Sequence, residues 1–157
     1  MRNAALSDKS HWWHGLIGRA VNVGVASCIT YALASIAHSQ YVVAQVERMG
    51  VGVAFADRLS MTLGDLAGLY LYAAVITVGL VIGWLVMAGI RRLYNMSRWI
   101  VYPMGGLLTM VVIMAAMSLA FPMTPIAPAR DVAGILGQCI AGLTGGFIFA
   151  WLQTRNV

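Results

Sequence analysis

Four stretches of the chain run for more than twenty residues without a single charged side chain: 20–46, 66–90, 99–129 and 132–154. A helix needs about 20 apolar residues to cross a hydrocarbon core roughly 30 Å thick, so each stretch is long enough to span a bilayer. In lipid every backbone N–H and C=O must be paired within the protein, which leaves helices or closed barrels. A barrel would show segments of about ten residues with alternating polarity. These runs are continuous, so the chain reads as an all-α polytopic membrane protein: a four-transmembrane-helix bundle with short loops, forming a single integral membrane domain over 1–157. The most apolar parts place the spans at about 20–37, 66–90, 100–121 and 132–152, with an outer loop over 38–61.

Composition agrees with a lipid rather than a water environment. Hydrophobic residues make up 61% of the 157 residues and charged residues 10%, against about 25% charged in soluble domains. The net charge of +5 does not imply a nucleic-acid partner, because the basic residues stand singly or in pairs at the ends of the apolar runs. Arg2, Lys9, Arg19, Arg91, Arg92, Arg98 and Arg155 fall on one side and Arg48, Arg58 and Arg130 on the other. That seven-to-three split predicts both termini in the cytoplasm and, for a bacterial chain, residence in the inner membrane. An A-x-A pattern at Ala32-Leu33-Ala34 resembles a signal-peptide cleavage site. The charged leader up to Arg19 is long for such a peptide and the apolar run continues past the site, so an uncleaved first span is expected.

Local signals suggest where helices end. Thr62 and Asp65 have the spacing of a capping box, which places the start of the second span near Thr62. Val42, Val43, Val46 and Met49 have helical spacing, so this part of the outer loop either extends the first helix or lies on the membrane surface. Gly50 and Gly52 mark a bend after it. Pro122, Pro125 and Pro128 suit a short extended link between the last two spans, and Pro103 stands about one turn into the third.

The clearest chemical signal is packing. Ala133, Gly137, Ala141 and Gly145 lie four apart in the fourth span, with Gly134, Gly142 and Gly146 beside them, and Gly79 and Gly83 repeat the theme in the second. Small residues at this spacing let helices approach backbone to backbone, where no hydrophobic force drives association. Packing within one chain is the plainest reading, and a homo-oligomer or a larger membrane-protein partner is the alternative.

Polar residues at membrane depth form the second signal. Ser27, Thr30 and Tyr31 cluster on one face of the first span, with Asn22 about 140° from Ser27 at 100° per residue. Gln138 and Thr144 add polar groups in the fourth. These five are either a candidate polar path, Ser27, Thr30, Tyr31, Gln138 and Thr144, or interhelical hydrogen-bonding groups. Transport machinery usually holds a charge inside the membrane, and here Arg19 and Asp65 stand only at span ends.

Other features read as structural. His11-Trp12-Trp13-His14 places two imidazoles three apart, a spacing that can hold a metal, yet it suits an interfacial anchor, as do Trp99 and Trp151. Cys28 and Cys139 lie near mid-depth and are expected to be buried packing residues, since hydrocarbon disfavours a thiolate. The acid–base pairs Glu47-Arg48 and Asp57-Arg58 read as solvated surface charge. No catalytic residue, metal site or cofactor is expected. The intramembrane glutamate of small multidrug exporters, the Arg- and Glu-bearing helix of membrane glutathione enzymes and the loop cysteines of quinone-linked thiol oxidases are all missing. The expectation is a non-enzymatic accessory, assembly or structural subunit that works through helix packing. The alternative is a small oligomeric transporter or channel for an ion or uncharged solute.

Overall fold

A computed structural model describes residues 2–120 and 132–155, with side chains over 17–119 and 132–155. Five helices follow one another: α1 (Arg2–Arg48), α2 (Phe55–Gly68), α3 (Tyr70–Tyr94), α4 (Arg98–Ala120) and α5 (Val132–Arg155). Four of them are long and apolar enough to cross a membrane, over Ile17–Arg48, Tyr70–Tyr94, Arg98–Leu119 and Val132–Arg155. The chain is an all-α bundle of membrane-spanning helices. The His11–His14 side chains and the proline-rich link with Arg130 and Asp131 lie outside the described side chains.

The stretch 38–61 is not an open loop. α1 continues without a break to Arg48, because no glycine or proline falls between Gly24 and Gly50, whose φ of 85° ends it. At 1.5 Å per residue its apolar portion, 32 residues long, measures about 48 Å. That exceeds the ~30 Å hydrocarbon core, so the last turns project beyond it. α2 runs back antiparallel along this projecting end, as shown by successive pairs: Arg58 with Glu47, Gln40 Nε2 with Thr62 Oγ1 at 3.4 Å, and Ser39 Oγ with Asp65 Oδ2 at 2.7 Å.

The capping-box reading of Thr62 and Asp65 is overturned by the same geometry. Thr62 sits inside α2, where its hydroxyl donates to the Arg58 carbonyl at 2.8 Å instead of capping a helix start. Asp65 turns toward Ser39. The second span therefore begins at Tyr70, after a break at Leu69. The Leu69 N–H still bonds the Asp65 carbonyl and the Leu69 carbonyl accepts from Ala73 N–H, so α2 feeds into α3 with its backbone paired.

In the bundle core, the Trp84 ring lies on Phe149 with centroids 4.2 Å apart and planes 7° from parallel, and Tyr102 meets Phe149 edge-on at 5.0 Å. Ile76, Leu80 and Met110 belong to the same core and are fully buried. Trp99 and Trp151 are exposed, and Arg155 stacks over the Trp151 ring 4.1 Å from its centroid, an arrangement suited to an interfacial belt. Cys28 is exposed and Cys139 half-buried, so Cys28 is not the buried packing residue expected. Ala26, Ser27 and Thr30 take the inward positions of that turn, which leaves residue 28 on the outer face.

Candidate functional site

Along the length on which α5, α3 and α2 pack, α1 carries a column of polar side chains that is spread around the helix and does not form one stripe. Asn22, Ser27, Thr30, Ser35, His38 and Ser39 are all buried, and from Asn22 to Ser39 the column extends about 26 Å along the helix. Such burial in a lipid-facing protein requires partners, because each unpaired polar group costs about 1–3 kcal/mol. Two of the six have one: Ser39 meets Asp65 of α2, and Thr30 bonds a carbonyl of its own helix.

The centre of the column is a three-helix clasp. Gln138 of α5, fully buried, donates from Nε2 to the Ala34 carbonyl of α1 at 3.0 Å, and its Oε1 accepts from the Tyr72 hydroxyl of α3 at 2.9 Å. One amide thereby ties α1, α3 and α5. A turn lower, Thr30 donates to its own helix at Ala26, 2.8 Å away, and presses against α5 where Gly145 has no side chain. A Cβ at Gly145 would collide with the Thr30 hydroxyl. Beside Gln138, at the other end of the contact, Gly137 faces the Ala37 methyl, 3.4 Å from where a Cβ would stand.

At the projecting end, Ser39 Oγ lies 2.7 Å from Asp65 Oδ2 and 3.0 Å from the Ser35 carbonyl. Its single hydrogen goes to the carboxylate, the stronger acceptor. Tyr31 donates to the Leu66 carbonyl at 2.8 Å, so α1 also holds the α2–α3 junction. Among the described residues, Asn22 Nδ2, Ser27 Oγ, Ser35 Oγ and His38 Nδ1 are buried without a hydrogen-bond partner.

Of the residues singled out in the sequence, Ser27, Thr30 and Gln138 join this seam and Tyr31 stands at its edge. Thr144 does not: its hydroxyl returns to the Ile140 carbonyl at 2.8 Å. The small-residue strip also divides. Gly137 and Gly145 meet α1, Ala141 is buried, and Ala133 is exposed and takes no part. Gly79 and Gly83 of α3 face Thr109 and Ile113 of α4. They line an apolar groove of about 360 Å³.

The tightest backbone-to-backbone contact is one that the four-residue spacing of the strip did not single out. Gly106 of α4 crosses α5 at Gly142, where a Cβ on either would land on the carbonyl oxygen of the other, and Gly146 meets the backbone of Tyr102 and Pro103. The pair Gly142 and Gly146 was legible as a four-apart glycine motif; its partner in the Gly105-Gly106 dipeptide had no periodic signal of its own. Ser35, Ser39, His38 and Asp65 were likewise missed as a group, because Asp65 was assigned to a helix cap. No group of three or more His, Cys, Asp or Glu side chains converges among the described residues. Compared with known protein families, curated proteins and solved structures, the chain has no match.

Proposed function

We propose that this membrane protein is a non-enzymatic accessory or assembly subunit that docks a larger membrane-protein partner through its projecting α1–α2 hairpin. One observation carries this reading. α2 spends its polar side on α1, through Arg58, Thr62 and Asp65, and turns Phe55, Leu59, Leu63 and Leu66 outward, where they are 80%, 50%, 58% and 38% exposed. Those four recur at helical spacing and form one stripe. Next to it the hairpin tip exposes Met49 and Val51. A continuous apolar surface at or beyond the edge of the hydrocarbon marks an interaction site. The Arg58–Glu47 pair is itself partly solvated and adds little stability; its geometric effect is to fix which side of α2 faces out.

The seven-to-three arginine and lysine split supports an arrangement with the hairpin on the outer side of the plasma membrane and both termini inside. Two linked measurements test the proposal. A cysteine at Val51 should react with a membrane-impermeant maleimide added to intact cells. The parent chain, extracted in mild detergent, should migrate as a complex with one partner at fixed stoichiometry, and Leu59→Asp with Leu63→Asp should release it. Parent and variant migrating alike, at the size of the purified chain, would refute the docking role.

A second reading, a small oligomeric conduit for an ion or uncharged solute, is favoured by the partnerless Asn22, Ser27, Ser35 and His38 on α1. Four such groups on one helix would find partners in water or solute if the seam opened. The reading demands aqueous access to Ser27 and Thr30.

A further inference from the structure

The end of the bundle opposite the hairpin carries a cleft of about 480 Å³, lined by Arg19 of α1, Arg91, Arg92 and Asn95 at the end of α3, and Gln153 of α5. Its volume lies within the range of about 300–1,000 Å³ that small-molecule sites occupy. Arg98 of α4 donates to the carbonyl of Gln153, one of the lining residues, at 3.4 Å. Among the described residues the single salt bridge is Arg58 with Glu47, at the hairpin, and no described carboxylate pairs with this cluster.

Local roles explain part of it. Arg91 and Arg92 occupy the last turn of α3, where cations offset the helix dipole, and Arg98 satisfies a carbonyl near the end of α5. Neither role requires Arg19, from a different helix, to line the same concavity. Leu85, Ala88 and Tyr102 complete the wall; Leu85 is 68% exposed, and above it Val78 and Leu71 follow at intervals of seven residues, both exposed. This apolar column leads from the cleft along the lipid-facing side of α3 for about 21 Å, comparable to an acyl chain.

We propose that the cleft binds the phosphate of an anionic phospholipid, with Arg19 and Arg91 gripping the phosphate oxygens and an acyl chain lying along Leu85, Val78 and Leu71. Guanidinium groups match phosphate oxygens two at a time, and basic pockets between transmembrane helices are a recurring mode of anionic head-group recognition. A free phosphate would use the same arginines but not the apolar column.

The test uses the full chain in non-ionic detergent, with dioleoyl phosphatidylglycerol as the probe. Native mass spectrometry should show a retained phosphatidylglycerol adduct and the thermal midpoint should rise, whereas phosphatidylcholine at equal mole fraction gives neither. Arg19→Gln with Arg91→Gln should weaken the adduct at least tenfold. Arg155→Gln, which removes a charge from the same face outside the cleft, should leave it within twofold. Should the double glutamine variant fail to insert, Arg19→Lys with Arg91→Lys keeps the charge count and should still lose at least threefold, because an ammonium lacks the two-pronged grip. Equal retention of both lipids, or equal weakening by Arg155→Gln, would overturn the site. Inorganic phosphate or glycerol 3-phosphate at millimolar concentration raising the midpoint as far as the lipid does would overturn the lipid assignment.

Discussion

Gly142→Val should be among the most damaging single substitutions in this protein, lowering stability by roughly 3 kcal/mol or more. The reason is what the new atoms meet. Overpacking a core costs about 1–3 kcal/mol when the obstacle is a side chain that can turn away. At Gly142 the obstacle is the Gly106 carbonyl, with the Met110 side chain behind it, and backbone in the middle of a helix has no second rotamer. The two helices must separate, which breaks the contact that seats Gly146 against Tyr102 and Pro103 and loosens the Tyr102–Phe149–Trp84 stack alongside. Thermal unfolding in detergent measures the loss. Two alanine controls calibrate it: Gly137→Ala, which meets only the Ala37 methyl at 3.4 Å, and Gly24→Ala, which meets nothing within 4 Å. Both should stay within about 1 kcal/mol of the parent. A Gly142→Val protein as stable as Gly24→Ala would mean that α4 and α5 do not cross here.

Gln138→Leu should cost about 1–3 kcal/mol, because it leaves the buried Tyr72 hydroxyl and the Ala34 carbonyl without their cross-helix partner. The hydrogen bond itself contributes less. Bonds between membrane helices average about 0.6 kcal/mol and reach about 1.7, so most of the loss is the burial of an unpaired polar atom. This distinction has a measurable sign. In Tyr72→Phe the Gln138 Oε1 loses its donor, so that variant is destabilised too. The double variant, with both partners apolar, should be less destabilised than the sum of the two singles. A double-mutant cycle with strictly additive effects would mean that Gln138 and Tyr72 are not coupled.

These two results draw on different degrees of sequence legibility. Four spans were readable because a bilayer imposes length and forbids charge, and α4 and α5 begin and end within a few residues of the predicted limits. The hairpin is only half readable. Val42, Val43, Val46 and Met49 carry helical spacing, but Gln40 and His38 resemble a loop unless their surroundings on α2, Thr62 and Asp65, are known. Thr62 and Asp65 misled for a physical reason: threonine and aspartate three apart suit a helix start and also suit a helix interior that packs against polar neighbours. Gln138 was visible as a polar residue at membrane depth. That it bridges Ala34 and Tyr72, 104 and 66 residues away, follows from which helices adjoin, and periodicity carries no information about neighbours. The same limit hid Gly106, whose meaning depends on α5 crossing above it.

On the function proposed above, the polar column of α1 is closed packing and the protein acts through its surface rather than through a passage. Ser27 and Thr30 decide it, since they lie at mid-column, 2% and 0% exposed. In a Cys28→Ala, Cys139→Ala background, single cysteines at Ser27 and Thr30 should remain unlabelled by a water-soluble maleimide in native membranes and become reactive only after denaturation. Rapid labelling at both positions in the native membrane would contradict the claim and establish an aqueous path along α1.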